Sequence, residues 1–186
     1  MAEPLIDFVA LGPQALPAVP TLRCVPLAAP HAVALYRRRL EAMRSSPAEW
    51  LCFVDGGPDV IDPGFVPAMH ALAQRAAGQG VPLGYAAELV RGRPGIECEF
   101  TLRGYLQNIM LIHHGVVCST SALQAIDWPE GCYSWEVIAY GTLAQRGYVR
   151  DPAAYYDWRP GPDGARRWPS YKQALANSVR WLRENR

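Results

Sequence analysis

Trp50 to Val54 is a short apolar run that stops at Asp55-Gly56-Gly57-Pro58-Asp59, and amphipathic stretches flank it on both sides. An apolar run of this length closed by turn-forming residues reads as a buried strand. Upstream, His31 to Arg44 carries Val33, Tyr36, Leu40 and Met43 at helical spacing, with Arg37, Arg38 and Glu41 on other faces. Downstream, Asp62-Pro63 supplies an N-cap and a first-turn proline for a helix with Phe65, Met69, Leu72 and Ala76 on one face, closing near Gly78. Leu5 to Leu11 and Leu22 to Leu27 are further apolar runs joined by a Pro-rich connection, and both read as strands. Strands this apolar alternating with helices predict a sheet covered on both faces, parallel in its first half.

The second half is less regular. Val81 to Val90 reads as a strand, and Ile96 to Arg103 alternates, with Ile96, Cys98, Phe100 and Leu102 on one face, as in a half-exposed antiparallel strand. Gly115 to Ser119 reads as another strand and Ser134 to Gln145 as a helix stopped by Gly147. Asp151 to Pro169, rich in Pro, Gly and Trp, reads as an ordered loop, and Ser170 to Arg183 as a terminal helix. The predicted architecture is one domain over residues 1–186, a three-layer α/β/α sandwich with a mixed, mainly parallel central sheet. A nucleotide-type site is expected at the C-terminal ends of its strands.

Charge narrows the partners. Eighteen basic residues against 17 acidic give a net charge of +1, so no global field draws in nucleic acid or anionic lipid, and an anionic ligand must be held locally. Five cysteines, odd in number and widely spaced, argue for reduced thiols. No apolar stretch approaches the ~20 residues of a membrane span, and Met1 to Asp7 lacks the pattern of a secretory leader. A cytoplasmic protein is expected, with no integral membrane segment and no nucleic-acid partner.

The segment Ile112-His113-His114-Gly115-Val116-Val117-Cys118-Ser119 leads to Ser134-Trp135-Glu136 and then Leu143-Ala144-Gln145-Arg146-Gly147-Tyr148. Together with Trp50 to Asp55 and Val60 to Phe65, this resembles the inverting glycosyltransferases of family 2, which have the GT-A fold of nucleotide-diphospho-sugar transferases. The resemblance runs over roughly residues 31–161 as pattern and spacing. It implies transfer of a sugar from a nucleoside diphosphate sugar to a hydroxyl acceptor, as in bacterial surface polysaccharide synthesis, with Mn²⁺ or Mg²⁺ as cofactor.

Such a transfer needs the charge of the leaving diphosphate neutralised while a base takes the acceptor's proton. On the resemblance, Asp55 and Asp59 are the metal- and donor-binding carboxylates, and Glu136, eleven positions before Gly147, is the general base. Arg159, in Trp158-Arg159-Pro160-Gly161, falls where the family carries a basic loop over the diphosphate, with Arg166 and Arg167 nearby. Trp158 and Trp168 are candidates to stack on a sugar or base. His114 is a candidate to line the donor pocket.

The sequence also departs from the family. Gly56, Gly57 and Pro58 separate the two carboxylates, Trp135 replaces the first acid of the family's pair, and the long first helix is absent. Asp55 and Asp59 therefore read equally as turn residues, and Glu136 as a helix first-turn acid favoured by the dipole. His113 and His114, if extended, point to opposite faces and cannot share one metal. Two other functions follow: a catalytically degenerate domain that binds a nucleotide or a protein partner, and a thiol enzyme built on Cys118 beside the histidines.

Overall fold

The computed structural model describes residues 5–12, 16–27, 31–55, 61–95, 99–108, 111–159 and 171–185. Strands β1 (Ile6–Leu11), β2 (Arg23–Val25) and β3 (Trp50–Phe53) are joined by parallel pairings of β1 to each neighbour. Strand β6 (Val116–Ser119) runs antiparallel between β3 and β4 (Leu83–Val90), and the two-residue β5 (Arg93–Pro94) pairs antiparallel with β4. Strand β7 (Val149–Trp158) runs parallel to β4, completing a mixed sheet of seven strands ordered β2-β1-β3-β6-β4-β5, with β7 on β4.

Alternate side chains along the strands feed two cores, as the two-residue period of a strand requires. Val9, Leu51, Phe53, Leu83, Tyr85 and Val116 face one core, which helices α1 (Ala32–Arg44), α4 (Thr120–Gln124), α5 (Trp135–Ala144) and α6 (Tyr171–Glu184) cover. Phe8, Trp50, Cys52, Val54, Ala86 and Val117 face the other, against α2 (Phe65–Gln79). This is the expected α/β fold.

Close packing of α2 on the sheet depends on Gly84. A Cβ there would stand 3.0 Å from Val117, 3.2 Å from the Leu72 Cβ and 3.3 Å from Val149. Gly84→Ala is therefore expected to cost about 1–3 kcal/mol and to lower the melting temperature by roughly 3–10 °C. A calorimetric scan superimposable on that of the wild type would show that helix and sheet are not so closely seated.

Three local expectations need correction. The alternating segment ending at Arg103 does not remain extended: α3 (Leu102–Gln107) begins within it, because the Thr101 hydroxyl accepts from Gly104 N at 3.0 Å and caps a helix. Phe100 and Leu102 still pack on the core, but from an irregular segment and a helix, while Ile96 to Cys98 lie outside the described residues. The expected loop after Asp151 is instead β7 as far as Trp158, with residues 160–170 outside the described set. The strand accommodates its proline: the register jumps from Ala86↔Asp151 to Ala87↔Ala154, so Pro152, which has no N–H to give, sits in a bulge. Finally, Asp62 is not the N-cap of α2 but forms a turn two residues before it. Its Oδ1 accepts from Gly64 N at 2.7 Å, Gly64 is the N-cap of α2, and the helix ends at left-handed Gly80.

Candidate active site

The C-terminal ends of β3, β4 and β7 and the N-terminal end of the antiparallel β6 lie at the same edge of the sheet. Asp55 follows β3 there, where Val54 N is still bonded to Val9 O at 2.8 Å. Glu136 enters from the first turn of α5, held by the Tyr105 hydroxyl, which donates to Glu136 O at 2.6 Å. The two carboxylates, from motifs far apart in the chain, meet on one cation. Arg39 Nη2 donates to Asp55 Oδ2 at 2.7 Å, and Arg39 Nη1 donates to Glu136 Oε1.

Arg39 is only 3% exposed, whereas the side chains of Glu136 and Asp55 are 17% and 41% exposed. Burial by itself would push the guanidinium towards losing its proton, but the two carboxylates outweigh it and hold the charge. Burial likewise pushes Glu136 up, and the Arg39 charge and hydrogen bond overcome this, holding the carboxyl at about 2. Arg39 Nε is buried without a hydrogen-bond partner among the described residues. The ring of Phe53 lies under the guanidinium, 5.2 Å from its carbon.

Sequence reasoning missed Arg39, although a signal was present. It stands three residues after Tyr36 and four before Met43, so it lies on the apolar face of α1. A charge on a core-facing stripe requires a partner.

A second cluster adjoins the first. His114 Nδ1 lies 2.8 Å from Glu88 Oε2 and His113 Nδ1 3.7 Å from the same oxygen. The two adjacent imidazoles have ring centres 3.6 Å apart and do not diverge as the extended reading required. They precede β6 in a bent segment leading to Gly115 at φ 63°, a conformation that favours glycine and turns both rings towards Glu88. His114 is buried and stacked on Tyr156 at 4.4 Å, and Trp158 meets His113 edge-on at 5.0 Å. Burial raises the proton affinity of Glu88, but the two imidazoles beside it, His114 within hydrogen-bond distance and His113 further off, reverse this and bring its carboxyl to about 2. Burial lowers that of His114, more than Glu88 restores it. The neutral ring donating from Nδ1 satisfies both tendencies. The charge of Asp55 is felt at His114 and that of His113 at Glu136, so the clusters share one electrostatic environment.

The remaining candidates are placed as follows. Asp59, Arg166, Arg167 and Trp168 lie outside the described residues. Arg159 is largely exposed and donates from Nε to Asp157 Oδ2 at 2.8 Å, while Asp157 Oδ1 accepts from Gly92 N. It is thus tied to the β4–β5 turn and not to Arg39 or its carboxylates. Trp135 is a core residue, stacked on Trp128 at 4.5 Å and edge-on to Phe53. Cys118 is buried and its thiol is pushed well above the ordinary range, so it is a core thiol with no nucleophilic character. Cys52 and Cys132 are also buried, and neither forms a disulfide among the described residues.

No family model and no curated protein matches the chain by sequence. Solved structures do match by shape. TarS of S. aureus, residues 1–349, superposes with a TM-score of 0.61 at 12% identity over 97% of this chain and 66% of its own. The two share one α/β fold. A longer structure of S. aureus TarS gives 0.60 at 12% identity, over 97% of this chain and 40% of its own. TarS 1–349 in complex with UDP gives 0.56 at 14% identity, over 89% and 49%. This chain therefore spans less than two thirds of the length of each. No helix among the described residues is long and apolar enough to cross a membrane.

Proposed function

We propose that the protein transfers a sugar from a nucleoside diphosphate sugar to a hydroxyl acceptor, in the manner of an inverting glycosyltransferase of surface polysaccharide synthesis. The observation that carries this reading is the convergence of Asp55 and Glu136 on Arg39 at the C-terminal edge of the sheet. The fold shared with TarS, one structure of which holds UDP, supports the nucleotide part of it.

In this reaction an acceptor oxygen attacks the anomeric carbon as the bond from that carbon to the diphosphate oxygen breaks. The acceptor proton passes to a base and the nucleoside diphosphate leaves with the bonding electron pair. Glu136 is the base in this scheme, and its carboxylate is ionised as the role requires. Its basicity is nevertheless low while Arg39 holds it. Negative charge building on the leaving group competes for the guanidinium, and each weakening of the Arg39–Glu136 pair raises the affinity of Glu136 for the proton.

A hard divalent ion suits this reading poorly at Asp55. Oδ2 of Asp55 is already bonded to Arg39, which leaves one carboxylate oxygen there besides whatever Asp59 supplies. Arg39 is the cation that the described residues offer for a diphosphate at this point, and no step of the scheme runs through a metal at Asp55.

Calorimetric titration with UDP, followed by incubation with a panel of nucleotide sugars and hydroxyl acceptors, tests the proposal. Binding in the micromolar range, about −8 kcal/mol, and release of free nucleotide dependent on acceptor are expected. Absence of any nucleotide heat would remove it. Binding without transfer or donor hydrolysis favours the second reading, a domain that only binds. The low proton affinity of Glu136 and the apolar Trp135 in place of an acid speak for that version.

A further inference from the structure

Glu88, His113 and His114 form the group of metal-ligating side chains among the described residues, their candidate ligand atoms all within 4.8 Å of one another. They come from two strands' ends that no local pattern connects: Glu88 from β4 and the histidines from the bend before β6. We propose that these three residues bind a divalent transition-metal ion, and that this site, not the Asp55–Asp59 motif, is where the protein holds its metal. The site stands on its own side chains; only its use in neutralising a diphosphate rests on the transferase reading.

Several features support it. Two nitrogen ligands and one carboxylate, with an open fourth position, form the donor set of many catalytic zinc sites and favour Zn²⁺ or Co²⁺ over Mg²⁺, which prefers oxygen. A tetrahedral ion with bonds of ~2.0–2.2 Å keeps its ligand atoms roughly 3.3–3.5 Å apart. The His113 pair at 3.7 Å has to close by a few tenths of an ångström and the His114 pair at 2.8 Å to open by about half an ångström, the metal taking the place of the His114 Nδ1 proton, which moves to Nε2. His113 Nδ1 is buried and makes no hydrogen bond among the described residues, which is costly for a polar atom unless something else binds it. The imidazoles are held in place from outside, His114 by the stacked Tyr156 and His113 by Trp158. The His113 side chain is 16% exposed, enough to admit a water or ligand oxygen to the remaining position.

The acidic motif, in this light, is dispensable for metal binding. Its Asp55 is engaged with Arg39 while the imidazole site lies within its electrostatic reach.

The test is metal binding by the intact protein without nucleotide, read by elemental analysis after desalting and by the visible absorption of bound Co²⁺. The wild type is expected to hold one equivalent of Co²⁺ with the strong absorption of a four-coordinate site, undisturbed by excess Mg²⁺. His113→Ala and Glu88→Gln are each expected to weaken Co²⁺ binding by more than about 100-fold, and Asp55→Asn to leave the spectrum unchanged. His113→Ala, at the more accessible position, guards against a loss caused by misfolding of the buried Glu88 variant, and a thermal melt of each confirms folding. A wild-type protein that retains no Co²⁺, or a signal lost in Asp55→Asn and kept in His113→Ala, overturns the proposal. One equivalent of Co²⁺ bound through His113, with no heat on adding UDP, upholds the metal site and rejects the transferase reading instead.

Discussion

Arg39→Leu is expected to lower the melting temperature by about 10 °C or more at neutral pH. The substitution keeps an apolar stem on the core face of α1 but leaves Glu136 and Asp55 facing each other with no cation between them. Removing one partner of a buried ion pair typically costs about 3–5 kcal/mol, and a domain of this size loses roughly 2–4 °C per kcal/mol. The pH dependence identifies the cause. Once Arg39 is gone, burial dominates at Glu136 and raises its proton affinity above the ordinary carboxyl range. Mild acid then neutralises the orphaned carboxylate, so the deficit relative to the wild type shrinks as the pH falls from 7 towards 5. Thermal melts across that range decide the matter. A variant within 2 °C of the wild type at pH 7 would mean that the cation does not hold these elements together.

Glu136→Gln carries the second large effect, on turnover. A positioned general base contributes typically about 10²–10⁴-fold, so acceptor-dependent nucleotide release is expected to fall by at least 100-fold while UDP still binds. Retained turnover would take the base assignment away from Glu136. Stability changes as well, and its pH profile has a defined sign. The folded carboxyl of Glu136, at about 2, lies below its ordinary value of 4.5. Its contribution is therefore fully present above pH 4.5 and is lost as the pH falls towards 2. Linkage makes it worth on the order of 3 kcal/mol. Glu136→Gln should abolish this part of the acid sensitivity and should melt several degrees below the wild type at pH 7, since Arg39 retains only Asp55. Equal slopes of stability against pH in the two proteins would show that Glu136 is not the titrating group.

These two residues also mark how far the chain could be read from its pattern. Asp55 was visible because an apolar run ended in turn formers, and Glu136 because it opened a helix eleven residues before a glycine. Read locally, however, Glu136 is a first-turn acid that only the helix dipole engages. The ion pair with Arg39 reverses that expectation. Arg39 itself escaped notice beside Arg37 and Arg38, because a run of arginines on a helix reads as a solvated face unless each is placed on the helical wheel. Glu88 sits in an apolar strand, where alternation alone says which face it takes but not what waits there. The histidines diverge only on an extended backbone, and the bend before Gly115 turns them to the same side.

Secondary structure followed the same division. The amphipathic helix at Ala32–Arg44, the apolar helix at Trp135–Ala144 and the short apolar strands at Ile6–Leu11 and Trp50–Phe53 correspond to the predicted segments. Strand β7 is hidden because Pro152 weighs against a strand locally, while the long edge of β4 supplies hydrogen bonds that accommodate a bulge.

Side-chain periodicity specifies which face of each element turns inward, and that sufficed for an α/β layering and for an acidic group at the end of β3. Partnership is another matter. Whether Arg39 neutralises Asp55 and Glu136, and whether Glu88 meets two histidines, depends on which strand edges are adjacent and on the need of buried charges for counter-charges. Those conditions arise only when residues far apart in the chain share one low-dielectric corner of the folded protein.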